Sequence, residues 1–134
     1  MKRLVSTFLL FMLCNFAHAG WERIVENDAG DIYVDFSTIQ RRGSFSTMIS
    51  LSNIAPRDAQ IEKETTWFKS VTQLDEYDCA GGRIRLKSFS LHSEAMSRGK
   101  LVSTSNHATP WIPIEGGSWN ERKWHVACSK SQTK

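Results

Sequence analysis

The sequence predicts an α+β domain in which an antiparallel sheet of five or six strands carries one C-terminal helix, and three observations lead to this prediction. Residues 44–54 and 83–87 alternate between apolar and polar with the period of two that a half-buried strand requires. Residues 118–128 instead begin with the spacing of a capping box and continue with helical spacing. Cys79 shortly precedes the predicted strand at 83–87, and Cys128 lies in the predicted helix. Strands followed by a single helix are typical of the α+β class.

The N-terminal segment, residues 1–19, predicts a secretory signal peptide. Two basic residues precede a short apolar run, and "AHA" at 17–19 supplies a small-x-small cleavage site. The apolar run is too short to span a bilayer comfortably, so we expect no transmembrane segment after cleavage. Cys14 follows a leucine and not a small residue, so no convincing lipobox is present. The mature chain is expected to form one domain over residues 20–134.

The composition of the mature chain excludes several classes of function. Removing Lys2 and Arg3 lowers the number of basic residues from 17 to 15, against 14 acidic residues, so the mature charge is near +1. That balance gives no basis for nucleic-acid binding. The 115 residues that remain of the 134 suffice for the core of one domain without a metal, and we expect no cofactor.

Cleavage would remove Cys14 and leave Cys79 and Cys128 as the only pair. Two cysteines in a small exported domain are expected to form one disulfide. It would close a loop of roughly 50 residues and stabilise the fold by about 4 kcal/mol. A zinc site would need about four ligands at short spacings, and no such pairs of Cys and His occur. A catalytic thiol would need a histidine partner and a reducing compartment. The sequence therefore predicts a structural tether.

The first half of the mature chain consists of predicted strands and turns. "WERIVE" and "DIYVDF" flank "NDAG", which predicts a hairpin. In "SFSTMISLSNI" the odd-numbered residues from Phe45 to Leu51 are predicted to face the core, and the serines to face solvent. "APRDAQ", with Pro56 and Asp58, is expected to break the pattern. "TTWFKSVTQL" then predicts the next strand.

A basic strand follows the two glycines at 81 and 82. In "RIRLKSFSL" the apolar Ile84 and Leu86 alternate with basic residues. Phe89 and Leu91 share the parity of the basic residues and should not lie exposed beside them. We therefore expect a bulge or twist near Ser88, or burial of the strand's end under the helix.

The C-terminal part of the chain ends the sheet and forms the helix. "SRGK" predicts a turn into the strand "LVSTS", and the prolines of "TPWIPI" exclude a central strand. In the helix, Trp124, Ala127 and Cys128 share one side, which Lys123 interrupts. Cys128 is therefore expected to face the sheet.

Four segments together resemble the surface-adhesin protein E family of Gram-negative bacteria. They are the mature N-terminal tryptophan, "IYVDFSTI", "DEYDCAGGRIRLKSFSLHSEAMSRGK" and "WIPIEGGSWNERKWHVAC". The resemblance runs from about Trp21 to Cys128. It implies a curved antiparallel sheet with a C-terminal helix that the disulfide tethers to it. It also implies adhesion to host extracellular-matrix or serum proteins such as vitronectin, laminin and plasminogen.

The absent lipobox keeps a second function open. The protein is expected to be periplasmic or secreted, with display on the outer surface as a further destination. The alternative to an adhesin is a periplasmic protein that binds a small ligand or an envelope component and has no adhesive role. A homodimer is also left open.

The candidate partner-binding residues are three cations and one tryptophan. Arg83, Arg85 and Lys87 recur at period two, so we expect a basic ridge on one face of a strand. The arginines would supply bidentate contacts to acidic or sulfated partners. The alternative is an ordinary solvated face of the sheet. Trp119, near the start of the helix, is the fourth candidate.

No residue pattern predicts catalysis or metal binding. The three histidines of the mature domain are scattered over a strand, a loop and the helix, and no hydrolase, metalloprotease or P-loop motif is present. The acidic residues at 75–78 are interpreted as a solvated turn, with calcium coordination as the alternative. We therefore predict that the protein is not an enzyme.

We predict that the exported protein begins at Gly20 and contains no free thiol, because cleavage leaves one cysteine pair in an oxidising compartment. The mass of the intact periplasmic protein and a thiol titration of the unfolded, unreduced chain will test both statements. Two reactive thiols per chain, or a mass that includes Cys14, would contradict them.

Overall fold

The computed structural model describes residues 20–61 and 64–129, with their side chains except within 55–66. The predicted signal peptide, residues 1–19, lies outside the described residues. The described parts form strands, two short 3-10 turns and one α-helix. No helix among these residues is long and apolar enough to cross a membrane. The strands and helix are β1 (Trp21–Asn27), β2 (Gly30–Asp35), β3 (Gln40–Arg42), β4 (Phe45–Ile61), β5 (Glu64–Asp78), β6 (Arg83–His92), β7 (Leu101–Ser105), β8 (Ile112–Pro113) and α1 (Trp119–Ser129).

All strand pairs among the described residues are antiparallel and belong to one curved, open sheet. Six strands follow the order β1-β2-β4-β5-β6-β7, while β3 pairs with β4 and β8 pairs with β6. The predicted sheet of five or six strands with one C-terminal helix is therefore confirmed, and β3 and β8 are short additions to it. The predicted hairpin between β1 and β2 is also confirmed.

The predicted break near Pro56 is present as an interruption of the pairing, but it does not end the strand, because β4 continues to Ile61. The pairing of β4 with β5 is irregular only between Asn53 and Arg57. A proline cannot donate a hydrogen bond to a regular ladder, but it is tolerated at such an irregularity. The two long strands therefore pair with each other beyond Ile54, the last residue of β4 that pairs with β2.

Helix α1 covers the face of the sheet that carries the serines of β4. Ser46, Met48 and Ser50 are buried there, whereas Phe45 on the other face is 39% exposed. The prediction that the serines face solvent was wrong for Ser46 and Ser50, and the Ser46 hydroxyl donates a hydrogen bond of 2.7 Å to the carbonyl oxygen of Ala127. The buried core on this side consists of Val34, Met48, Tyr77, Ile84 and Ala127. Leu51, which was predicted to face the core, is fully buried on the other side of β4.

Both ends of α1 are held by specific contacts. The backbone N–H of Glu121 donates to Ser118 Oγ over 3.2 Å, which confirms the predicted N-terminal cap. At the other end Cys128 is bonded to Cys79, as predicted, with 5.6 Å between the two Cα atoms. Arg41 Nη1 donates to the Cys128 carbonyl oxygen over 2.8 Å. A cation at this position stabilises the C-terminal end of the helix, where carbonyl groups lack partners within the helix.

The middle of α1 is attached to the sheet by a buried ion pair. Lys123 is 4% exposed and Asp75 on β5 is 1% exposed. Their charged groups lie 2.9 Å apart, between Nζ and Oδ2. Burial, followed by the negative charge of Asp75, raises the pKa of the neighbouring Tyr77 well above its ordinary value. Lys123 therefore does not interrupt the packed side of the helix, because Asp75 balances its charge.

Replacing Lys123 with methionine should lower the free energy of unfolding by about 3–5 kcal/mol, because the charge of Asp75 would remain buried without its partner. The double variant Lys123→Met/Asp75→Leu should recover most of that loss. Urea unfolding at neutral pH will measure both, with the exposed Lys100→Met as the matched control. A single variant as stable as the control would contradict this role of the ion pair.

Candidate functional site

An aromatic and cationic cluster lies on the face of the sheet opposite α1. Because side chains alternate along a strand, Phe45 points away from the helix-facing Ser46. The ring of Trp111 lies 5.7 Å from the ring of Phe45, between their centroids. The guanidinium carbons of Arg83 and Arg85 lie 5.3 Å and 4.7 Å from the centroid of the Trp111 ring. At these distances the positively charged guanidinium groups of both arginines are attracted to the π face of the Trp111 ring. These four residues are called the Trp111 cluster below.

The charge of both arginines is balanced by carboxylates on the neighbouring strand. Arg83 donates to Asp78 Oδ2 through Nε at 3.0 Å and Nη2 at 2.7 Å. Arg85 Nε donates to Glu76 Oε1 over 2.7 Å. Hydrogen bonds from Arg83 and from the Gly81 backbone hold the pKa of Asp78 below its ordinary value. Arg83 and Arg85 therefore lie on one face as predicted, but both are paired with carboxylates and do not form a row of free positive charges.

The acidic residues beside Cys79 are part of β5, so the interpretation as a solvated turn was wrong. Asp75 faces α1 and pairs with Lys123, whereas Glu76 and Asp78 face the arginines. Within residues 20–61 and 64–129, no group of three His, Cys, Asp or Glu side chains is arranged to hold a metal ion.

The predicted bulge near Ser88 is confirmed and leaves Lys87 without a partner in the ladder. Leu74 pairs with Ser88, but the next residue, Asp75, pairs with Leu86. Beyond this point Phe89 pairs with Gln73, so it lies on the helix side as Asp75 does. The unpaired Lys87 thus shifts Phe89 to the face opposite the arginines, as expected from the alternation of apolar and basic residues.

Two further cations flank a shallow groove beside the Trp111 cluster. The groove has a volume of about 240 Å³ and crosses β3 to β6, with Arg42, Phe45, Glu76 and Lys87 among its lining residues. Arg42 and Lys87 form no ion pair with any described residue. The excess positive charge of this face is therefore located at these two residues, and only Lys87 belongs to the predicted ridge.

Trp119 is not part of this surface. It is the first residue of α1, half-buried, and belongs to the layer on the other side of the sheet. The structure brings Arg83, Arg85 and Lys87 to one face, but it adds Trp111 and Phe45, which the sequence did not single out. The only local signal for Trp111 is its position between Pro110 and Pro113, where an irregular segment presents it to the sheet.

Comparisons with known proteins identify the fold and the family. The model of the family described as surface-adhesin protein E matches residues 21–129. No match was found among curated proteins. Two crystal forms of Haemophilus influenzae protein E superpose with TM-scores of 0.61 and 0.63, at 14% identity. The first alignment covers 84% of this chain and 86% of that chain, and the second covers 84% and 89%. Protein E from non-typeable Haemophilus influenzae gives 0.60 at 14% identity, over 86% of this chain and 79% of that chain.

Proposed function

This chain belongs to the surface-adhesin protein E family, and we propose from that premise that it is an exported, non-enzymatic protein that binds host extracellular-matrix or serum proteins. The class of partner is that of vitronectin, laminin and plasminogen. The proposed contact surface consists of the Trp111 cluster together with Arg42 and Lys87. The Trp111 cluster is the single observation that carries this assignment.

The composition of the cluster supports a protein partner. Tryptophan and arginine are enriched among the residues that dominate the energy of protein–protein interfaces. Phe45, beside Trp111, is a large apolar side chain that remains 39% exposed. The cation–π contacts and the salt bridges hold Arg83 and Arg85 in place before a partner arrives, so less side-chain entropy is lost on binding.

The charge arrangement favours a partner that has acidic side chains within an otherwise mixed surface. Asp78 and Glu76 neutralise two of the four cations, so the surface is not uniformly positive. The unpaired Arg42 and Lys87 would attract acidic groups, while Phe45 and Trp111 would cover apolar ones. Such a surface is expected to depend on salt only moderately, because exposed charges are screened and apolar burial is not.

The proposal requires display outside the cell. Protease added to intact cells should degrade the protein, while a periplasmic marker in the same cells should survive. Recovery of undegraded protein only after the outer membrane is opened would contradict display and would favour the periplasmic alternative.

The double variant Phe45→Ser/Lys87→Ser should weaken binding to immobilised vitronectin, laminin or plasminogen about tenfold or more, if the surface behaves as an interface centre. Surface plasmon resonance across a salt series will measure it. The matched control is Leu101→Ser/Lys100→Ser, which removes an exposed apolar side chain and a cation at a distant turn. Equal affinities of the two double variants, both folded, would contradict the proposal that this surface contacts the partner.

A further inference from the structure

A second pocket lies on the helix side of the sheet and shares Arg85 with the Trp111 cluster. It occupies about 350 Å³ between the start of α1 and the segment that follows β7, above β5 and β6. That volume is at the lower end of the range of roughly 300–1,000 Å³ for small-molecule sites. Its apolar lining consists of Ile84, Leu86, Pro110 and Ile112. The pocket is therefore the size of a small organic molecule and mostly apolar.

The wall opposite the helix is fixed by backbone hydrogen bonds. Thr109 N–H donates to the Leu86 carbonyl oxygen over 2.9 Å, and Leu86 N–H donates to Thr109 Oγ1 over 3.0 Å. Farther along, Ile114 N–H donates to the Gly82 carbonyl oxygen over 2.9 Å. The segment is thus attached to β6 at one end of the pocket and to the turn before β6 at the other. A pocket with such a wall is formed before a ligand enters it.

The carboxylate of Asp75, which lines this pocket, has one oxygen without a donor. Gln73 Nε2 at 2.7 Å, Lys123 Nζ at 2.9 Å and the Tyr77 hydroxyl at 3.4 Å all donate to the same atom, Oδ2. No described group donates to Oδ1. Oδ1 is therefore the oxygen of this carboxylate that remains available to a donor group in the pocket.

The charges of Asp75 and Lys123 at the bottom of the pocket restrict which kind of ligand can donate to Oδ1. The ammonium group of Lys123 already neutralises Asp75 from 2.9 Å and would repel a second cation. An anion would meet the carboxylate directly, and the positive charge of Arg85, which also lines the pocket, is already paired with Glu76. The remaining class is a neutral molecule, apolar over most of its surface, that carries an N–H or O–H group.

We propose that the pocket between α1 and residues 106–113 binds a small, neutral, chiefly apolar molecule whose N–H or O–H group donates to Asp75 Oδ1. This site opens on the opposite side of the sheet from Phe45 and Lys87, neither of which lines it, and Arg85 borders both surfaces. Loss of adhesion in Phe45→Ser/Lys87→Ser should therefore leave binding in the pocket unchanged.

N-phenyl-1-naphthylamine is a suitable probe, because it is neutral, has an apolar body with one N–H group and fluoresces more strongly in apolar surroundings. The mature protein should bind it saturably with one site per chain. The N-methylated analogue, which lacks the donor, should bind about tenfold or more weakly, as expected for a lost hydrogen bond to a charged acceptor. In a two-dimensional NMR titration, the side-chain amide signals of Gln73 and Asn120, which line the pocket, should shift with the probe.

Ile112→Asp provides the matched mutational test, since Ile112 is at the pocket and 52% exposed. A charge there should lower the affinity about tenfold or more, because an apolar ligand would have to desolvate it. Leu101→Asp, at a residue that is 57% exposed on β7, should bind as the unchanged protein does. Unsaturable fluorescence, equal losses in the two aspartate variants, or unshifted Gln73 and Asn120 signals would overturn the site. Equal binding of the methylated analogue would overturn the role of Asp75. The NMR and analogue measurements decide the matter even if Ile112→Asp fails to fold.

Discussion

The disulfide between Cys79 and Cys128 and the buried ion pair between Asp75 and Lys123 attach α1 to β5 and to the residue that follows it. Two attachments on one helix fix both its position along the strand and the side that it turns to the sheet. With that side fixed, Ala127 enters the core and its carbonyl oxygen accepts from Ser46. The hydroxyl of Ser46 is thereby satisfied under the helix, and the opposite face of the sheet remains exposed at Phe45.

The bulge at Lys87 changes which face of the sheet the odd-numbered side chains of β6 point to. Before it, Arg83 and Arg85 lie on the uncovered face, and after it Phe89 and the residues of its parity lie on the helix side. A regular strand with the same sequence would place Phe89 beside the arginines. One additional residue therefore separates the charged surface from the apolar end of β6, and leaves Lys87 without an ion pair among the described residues at the edge of the groove.

The two faces consequently offer different chemistry. The uncovered face has aromatic rings and paired charges, which suit the mixed surface of another protein. The helix side has an apolar pocket whose floor is an internally neutralised carboxylate, which suits a small neutral molecule. Both depend on β5, because its alternating residues Glu76 and Asp78 face the arginines while Asp75 faces Lys123.

The sequence by itself determined most of the strands, the helix with its cap at Ser118 and the need for a bulge near Ser88, because each follows from spacing along a short stretch of chain. It also determined the pairing of Cys79 with Cys128, because signal cleavage leaves these as the two cysteines of the mature chain. Only the tertiary structure decided which face of β4 is covered, since a period of two separates two faces without saying which one meets the helix. It also decided that Lys123 is buried and that Trp111 contacts Arg83 and Arg85. These contacts join residues far apart in the chain, and their energies depend on the burial and partners that folding provides.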